Sequence, residues 1–207
     1  MNRSFRAFGR IACALALALL AIPASAFASG YVRIPGSAGQ RQQNLRIRFV
    51  RYTGGSSGRM IIDVKNVGKQ AARFDPRGVY FVPQGDPEKA PQRLGAAGPL
   101  AVDKQGSWVD TQKLMVRPGK SVRVSLQVFC LDSHRSSPAS SQKFSVANKL
   151  LPKSLRREIT HGVADVYKAN AAKARPAAEA TPAAQSHVWK TRNKKWIKLQ
   201  GERLKEK

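Results

Sequence analysis

Apolar and polar residues alternate along much of the chain between residues 44 and 131. In the first such segment Leu45, Ile47 and Phe49 lie on one face, and the residues between them are charged. A period of two residues is typical of a strand with one buried face. The pattern predicts strands over residues 44–52, 59–66, 79–83, 108–116 and 121–131.

The segments between these strands carry turn signals and no helical pattern. Residues 54–58 (GGSSG) and the pair Pro118-Gly119 are clear turns. Residues 84–106 are rich in Gly, Pro, Asp and Gln, and we expect a long loop there with at most a short strand. Strands joined without helices favour an antiparallel sandwich over a parallel sheet. One β domain with its exit loop is therefore expected over residues 44–150.

Three short motifs give this region a family resemblance. They are MIIDVKNVGK, RFDPRGVYFVP and LMVRPGKSVRVSL, and through them residues 44–131 resemble bacterial immunoglobulin-like modules. The stretches CLDSHRSSPASSQKF and AAQSHVWKTRNKKW are similar to exported proteins of uncharacterised function that append helices to such a module. The resemblance implies an Ig-like antiparallel β-sandwich followed by two or three short C-terminal α-helices, and it implies no activity.

The hydrophobic period changes to that of a helix after Pro152, in a basic region that we assign to residues 151–207. The apolar positions of the first helix fall on one stripe, namely Leu155, Ile159, Val163 and Val166. Gly162 is a weak point in this helix, because Gly costs about 1 kcal/mol relative to Ala in a helix interior.

The ends of the helices are predicted from capping residues. Ser154 is the expected N-cap of the first helix. Residues 169–184 are rich in Ala and Pro and are expected to form a hinge or linker. Thr181 and Pro182 then suit the cap and the first position of a second helix, which should break near Asn193.

Residues 1–26 have the three parts of a secretory signal peptide. Three arginines precede an apolar run over residues 11–22, and an A-x-A cleavage site ends at Ala26. The apolar run is shorter than the roughly 20 residues that span a bilayer. We therefore expect cleavage near Ala26, a flexible lead-in over residues 27–43, and a mature chain without a transmembrane segment in the periplasm or secreted.

The net charge of the chain indicates an anionic partner. The 207 residues carry a formal charge of +25, and loss of the three arginines in the leader leaves +22. A field of this size attracts polyanions such as envelope polymers, lipid head groups or nucleic acid. The candidate contacts lie on the charged face of two strands and in the C-terminal segment. They are Arg46, Arg48, Arg123, Lys190, Arg192, Lys194, Lys195 and Lys198.

Aromatic residues interleave with the basic residues of the C-terminal segment. Trp189 and Trp196 are seven residues apart, which is the spacing of one helix face and favours packing on the β domain. Tryptophan beside lysine could instead stack on nucleic acid bases or lie at an anionic membrane surface. On the sheet, the expected role of Asp63 is to pair with a nearby arginine rather than to take part in catalysis.

Cys130 and His134 are candidate reactive residues, and Cys130 is the single cysteine after the leader. A thiolate activated by the histidine, or a Cys/His metal pair, would indicate a periplasmic redox or metal-handling protein. The parity of the last strand instead places Cys130 in the core, where a thiol is inert. An intermolecular disulfide is a third possibility.

The sequence lacks the motifs of common catalytic classes. It has no P-loop or H-E-x-x-H pattern, and its acidic residues are scattered. We therefore expect an exported, non-enzymatic binding protein of the cell envelope that needs no cofactor or metal and has no small-molecule substrate. The alternatives are the redox or metal-handling protein and a structural subunit of a surface assembly, in which a sheet edge pairs with another chain.

Overall fold

The computed structural model of the chain describes residues 30–36, 42–174 and 176–201. The expected signal peptide, the cleavage position at Ala26 and part of the expected lead-in lie outside these residues. In the described part of the lead-in, Val32–Arg33 form a paired strand and Ile34 is buried, which corrects the expectation of a flexible segment there. The strands are β1 (Val32–Arg33), β2 (Leu45–Tyr52), β3 (Arg59–Asn66), β4 (Ala72–Phe74), β5 (Tyr80–Pro83), β6 (Leu94–Lys104), β7 (Ser107–Thr111), β8 (Leu114–Val116), β9 (Ser121–Cys130) and β10 (Phe144–Val146). The helices are α1 (Lys153–Ala169) and α2 (Pro176–Lys194).

The strands form a large antiparallel sheet and a small one. The large sheet has the order β1-β2-β3-β9-β6-β5-β10, with β7 paired to β6, and β4 pairs with β8 separately. The large sheet nearly closes on itself. The Phe144 ring of β10 packs 6.0 Å from the Phe49 ring and 5.6 Å from the Tyr52 ring of β2. The mainly β, antiparallel architecture with two C-terminal helices is therefore confirmed.

Strand β9 separates two apolar cores. Val124, Leu126 and Val128 point into the interior of the nearly closed sheet. Phe129 and Leu131 point the opposite way and belong to a second core with the buried side chains of α1 and α2. The helices thus cover one end of the outer face of the sheet.

Residues 84–106 do not form the long loop that we expected, because they contain β6, the longest strand with 11 residues. Its first three residues are all buried, so they show no alternation. The register against β9 shifts between Ala96 and Leu100, and this bulge takes up Gly98 and Pro99. Of the residues that indicated a loop, Gly98 and Pro99 belong to the bulge, and most of the others lie before β6 or in the turn that follows it.

Residues 108–116 also differ from the expectation of one strand. They belong to β7 and β8, which lie in different sheets. Between them the hydroxyl of Thr111 donates to the carbonyl oxygen of Lys113 at 2.9 Å, a local bond that turns the chain. The side chains of β7 are mostly exposed, whereas Leu114 and Val116 of β8 are buried.

Helix α1 begins at Lys153, so Ser154 lies in its first turn and is not the N-cap. Pro152 takes the N-cap position, with φ −50° and no side-chain hydrogen bond to the helix. The predicted apolar stripe is confirmed. Its buried members are Leu155, Ile159 and Val163.

Helix α2 begins at Pro176, which corrects both the linker expected over residues 169–184 and the start expected at Thr181. Pro182 lies inside the helix, where proline costs about 3 kcal/mol. The helix forms nevertheless because it buries a row of side chains on the rest of the fold. These are Ala180, Ala184 and Val188. The helix ends at Lys194, beside the break predicted at Asn193.

Among the described residues, neither helix has both the length and the apolar character that a membrane crossing requires.

Candidate anion-binding surfaces

A row of three charged side chains crosses β2, β3 and β9 on the outer face of the sheet. Arg48, Asp63 and Arg123 are cross-strand partners. Nη2 of Arg48 lies 2.5 Å from Oδ2 of Asp63, and Nε of Arg123 lies 2.9 Å from Oδ1. The strand order therefore brings together two arginines that are 75 positions apart in sequence, and the expected arginine pairing of Asp63 is confirmed.

A second row of cations runs beside the first. Arg33 of β1 is the cross-strand partner of Arg46, which in turn is the partner of Lys65. Partners on adjacent strands are separated by roughly 5 Å, so the three side chains share one small area. We call the two rows together the basic strip, and its cations are Arg33, Arg46, Arg48, Lys65 and Arg123.

Tyr31 lies over the basic strip. The guanidinium carbon of Arg48 is 5.0 Å from the centroid of its ring, and Nζ of Lys65 is 5.7 Å away. The Tyr31 hydroxyl is within hydrogen-bond distance of the Ser121 hydroxyl, at 2.8 Å. The ring holds two neighbouring cations by cation–π contacts, which supports their close approach to each other.

Asp63 offsets only part of this charge. Burial by itself raises the pKa of Asp63, whose side chain is 8% exposed. Hydrogen bonds and charges from Arg123 and Arg48 outweigh burial and hold the pKa below its usual value, so the group is ionised. Asp103 also acts on Arg123. Two carboxylates against five cations leave the strip positive.

The C-terminal lysines form a second exposed surface. Lys190 and Lys194 are one turn apart on α2, and Lys198 follows the end of the helix. All three are exposed, and we call them the lysine end. Lys195 differs from them, because its ammonium group forms an ion pair with Glu158 of α1. The hydrogen bond from Lys195 lowers the pKa of Glu158.

Arg192 does not belong to the exposed set, which corrects its place among the candidate contacts. Its side chain is fully buried, and its guanidinium carbon lies 4.1 Å from the centroid of the Trp196 ring. A helix exposes one face and buries the other, and the charge of Arg192 falls on the buried face. External anions therefore reach the lysines around it and not Arg192 itself.

The two tryptophans have different roles. Trp189 packs against the main core and donates from Nε1 to Oε1 of Gln92 at 3.2 Å, so its predicted packing is confirmed. Trp196 lies beyond the end of α2 and is 36% exposed. The expectation that both lie on one helix face is wrong, because the helix ends between them.

Cys130 and His134 are not brought together. Cys130 is fully buried in the main core, and burial followed by the charge of Asp132 raises the pKa of its thiol to about 12. His134 is exposed, and its ring lies 5.5 Å from that of Trp196. The core position of the thiol agrees with the strand parity read from the sequence. In the part of the chain that the structure describes, no three His, Cys, Asp or Glu residues are grouped as a metal site.

A third cluster of cationic side chains was not predicted from the sequence. It lines a cavity of about 330 Å³ where the start of α1 meets the loop between β4 and β5. The lining residues are Gln42, Asp75, Arg77, Leu150, Lys153, Arg156, Arg157, Thr160 and His161. The signal that could have found part of it is the spacing of Lys153, Arg156 and Arg157, which puts three cations on one helix face.

Two contacts position the arginines of this cavity. Asp75 pairs with Arg77 through Nε, at 2.8 Å and 2.9 Å from its two carboxylate oxygens. The side chain of Arg156 lies across Gly78, where an added Cβ would be 2.2 Å from Cδ of the arginine. Gly78 has φ +81°, so both its backbone and the passing side chain require glycine.

Comparison of the chain with protein-family models, with curated proteins and with solved structures found no match.

Proposed function

We propose that this chain is an exported, non-enzymatic binding protein of the cell envelope. It acts in the periplasm or outside the cell and holds an anionic polymer, lipid head group or nucleic acid by its arginines and lysines. The observation that carries the proposal is the basic strip. Five cations from four neighbouring strands lie on one solvent-facing area with two carboxylates near them.

The arrangement suits a repeating anion better than a single small one. Rows of cations on a sheet repeat at the strand spacing of about 4.8 Å, so several anionic groups of one polymer can be contacted together. The Tyr31 ring packs over Arg48 and Lys65, while Arg33 and Arg123 are exposed. The lysine end adds Lys190, Lys194 and Lys198 on a second exposed surface. Distributed contacts of this kind bind mainly by charge and depend strongly on salt.

We also infer that the β region is an Ig-like sandwich with the small sheet as its second layer. The buried side chains of β4 and β8 share one core with the interior of the large sheet. Nδ2 of Asn66, at the end of β3, donates to the carbonyl oxygen of Val116 on β8 at 2.8 Å. These contacts join the two sheets across the core.

Retention on immobilised heparin, followed by a salt gradient, tests the binding proposal. We expect the purified chain to bind at low salt and to elute later than a variant that lacks three strip charges, Arg33→Gln/Arg46→Gln/Lys65→Gln. A second variant, Lys190→Gln/Lys194→Gln/Lys198→Gln, measures the lysine end. The matched control is Lys89→Gln/Lys113→Gln/Lys168→Gln, which removes three exposed charges from elsewhere.

Two results would count against the proposal. Failure of the parent chain to bind at low salt would exclude polyanion binding under these conditions. Elution of the strip variant together with the control would show that net charge alone causes retention and that the strip has no special part. Circular dichroism of each variant establishes that its fold is intact.

A further inference from the structure

The cationic cavity at the start of α1 continues into a larger, mainly apolar groove. The groove has a volume of about 750 Å³ and shares Asp75, Arg77 and Thr160 with the cavity. Its other lining residues come from the ends of β4 and β7, the β6 bulge and the second half of α1. Most of them are apolar, such as Phe74, Ala97, Val163 and Tyr167, and the polar ones include Arg73 and Asp110.

Helix α1 forms one wall of both parts and changes character along its length. The wall is cationic at Lys153, Arg156 and Arg157, and it is apolar at Ala164 and Tyr167. These positions recur at helical spacing, so they lie along one side of the helix. From the first to the last of them the helix rises by about 21 Å. The groove is thus long, with a charged end and an apolar end.

The opposite wall is created by the β6 bulge. Between Ala96 and Leu100 the strand leaves its register with β9, and Ala97 and Pro99 line the groove there. Gly98 lies so close to β9 that an added Cβ would be 2.7 Å from Cβ of Gln127. On α1, the Tyr167 hydroxyl lies 3.0 Å from the Thr181 hydroxyl of α2, and this contact anchors its ring at the apolar end.

The three cations at the charged end of the groove, Lys153, Arg156 and Arg157, form no ion pair with a carboxylate of the described residues. Asp75 is occupied by Arg77. A group that brings negative charge between these three side chains would replace water around them and form charge-assisted hydrogen bonds.

We propose that this groove binds a single-chain amphipathic anion, with the anionic head among Lys153, Arg156 and Arg157 and the apolar chain along α1 toward Tyr167. The head can be a phosphate or a carboxylate, since both accept from guanidinium and ammonium groups. The inference does not rest on polyanion binding by the basic strip, because it uses other cations and a different class of ligand.

Calorimetric titration of the purified chain tests the proposal with defined probes below their micelle concentrations. Dodecyl phosphate and dodecanoate carry the two candidate heads, inorganic phosphate lacks the chain, and dodecyl maltoside lacks the charge. We expect dodecyl phosphate or dodecanoate to bind at least about tenfold more tightly than either of the other two probes. If one of these two probes binds more tightly than the other, its head group, phosphate or carboxylate, identifies the class of ligand that the groove prefers.

Variants locate the site. Lys153→Gln/Arg157→Gln changes two exposed cations and should weaken binding of the preferred amphiphile by roughly tenfold. Arg156→Gln is a second head variant, and Ala164→Trp, at an exposed helix position, should block the chain. Lys168→Gln, on the same helix outside the groove, is the control and should bind as the parent does.

Several outcomes would overturn the inference. Inorganic phosphate binding as tightly as dodecyl phosphate would show a simple anion site, and dodecyl maltoside binding as tightly would show an apolar groove without a head site. Equal binding by the head variants and the Lys168→Gln control would place any bound amphiphile elsewhere. The strip variant changes no residue that lines the groove. Its behaviour on heparin therefore has no bearing on these titrations, and a failure of one proposal can be distinguished from a failure of the other.

Discussion

The side-chain amide of Gln185 on α2 pairs with the backbone of Cys130 at the end of β9. Nε2 donates to the carbonyl oxygen of Cys130 at 2.9 Å, and Oε1 accepts from its N–H at 2.9 Å. Gln185 is 3% exposed, so these bonds form away from water. One side chain therefore docks the second helix onto the central strand of the sheet.

Replacing Gln185 by Ala should destabilise the fold by about 2 kcal/mol, because it removes two buried hydrogen bonds, although the N–H of Cys130 keeps its bond to the carbonyl oxygen of Ser56 at 3.2 Å. Urea unfolding followed by circular dichroism measures the change in the free energy of unfolding. Ser186→Ala, at the adjacent exposed position of α2, is the matched control. Equal stability of the two variants would show that the amide pair contributes nothing.

A buried ion pair holds the chain after α2. Arg93 donates from Nε to Oδ2 of Asp132 at 2.7 Å and from Nη2 to Oδ1 at 2.6 Å, and both side chains are at most 1% exposed. Nη1 of Arg93 also donates to the carbonyl oxygens of Leu199 and Gln200 at 3.4 Å and 3.3 Å. Arg93→Met should cost about 3–5 kcal/mol, since it leaves a buried carboxylate without its cation.

The double variant Arg93→Met/Asp132→Leu separates the charge effect from the loss of packing. Because removal of both charges leaves neither one uncompensated, the double variant should be more stable than Arg93→Met alone. Denaturant unfolding of the parent, both single variants and the double variant gives the coupling free energy. Additive effects of the two substitutions would contradict the interpretation.

Gly162 is required for the contact between the two helices. An added Cβ at this position would lie 1.9 Å from Nε2 of His187 on α2. Gly→Ala in a helix interior ordinarily stabilises by about 1 kcal/mol. Here we expect Gly162→Ala to lower the midpoint of thermal unfolding. In a His187→Ala background the same change should raise it, and a decrease in both backgrounds would rule out His187 as the cause.

The thiol of Cys130 should be unreactive in the folded chain. Burial raises its pKa to about 12, so little thiolate is present near neutral pH, and the core excludes reagent. At about pH 8 a thiol reagent should label the native protein slowly and the urea-unfolded protein at once. The purified chain must first be confirmed to lack residues 1–26, which contain Cys13. Fast labelling of Cys130 in the native protein would instead favour the redox alternative.

The pairing of Asp63 predicts a loss of stability in acid. Because the pKa of Asp63 is lower in the folded protein than in the unfolded chain, its contribution is present above the unfolded value of about 3.9. The contribution is lost as the pH falls through the lower, folded pKa. Asp63→Asn should therefore reduce stability at neutral pH and flatten the decrease below about pH 4.

Unfolding measured in urea across this pH range tests the expectation. Asp86→Asn, in an exposed loop, controls for removal of one carboxylate. An acid profile of Asp63→Asn that matches the parent would show that the two arginine bonds do not couple to folding.

Two elements of the fold could be predicted from the sequence, and two others could not. Strand β9 and helix α1 were predictable, because each buries one face and local periodicity reports that face directly. Strand β6 was not predicted, because its first three residues are all buried and show no alternation, and because Gly98 and Pro99 within it form a bulge. Helix α2 was mislocated because burial of Ala180, Ala184 and Val188 outweighs the local cost of Pro182.

The candidate surfaces, too, could be predicted only in part from the sequence. The sequence by itself determined the excess of positive charge, the outward parity of Arg46, Arg48 and Arg123, and the inward parity of Cys130. Only the tertiary structure decided that two arginines share Asp63, that Arg192 is buried, and that a cationic cavity and an apolar groove adjoin each other along α1. Parity and charge are local properties of a segment. Which side chains become neighbours depends on strand order and helix docking, which arise from contacts between residues far apart in the chain.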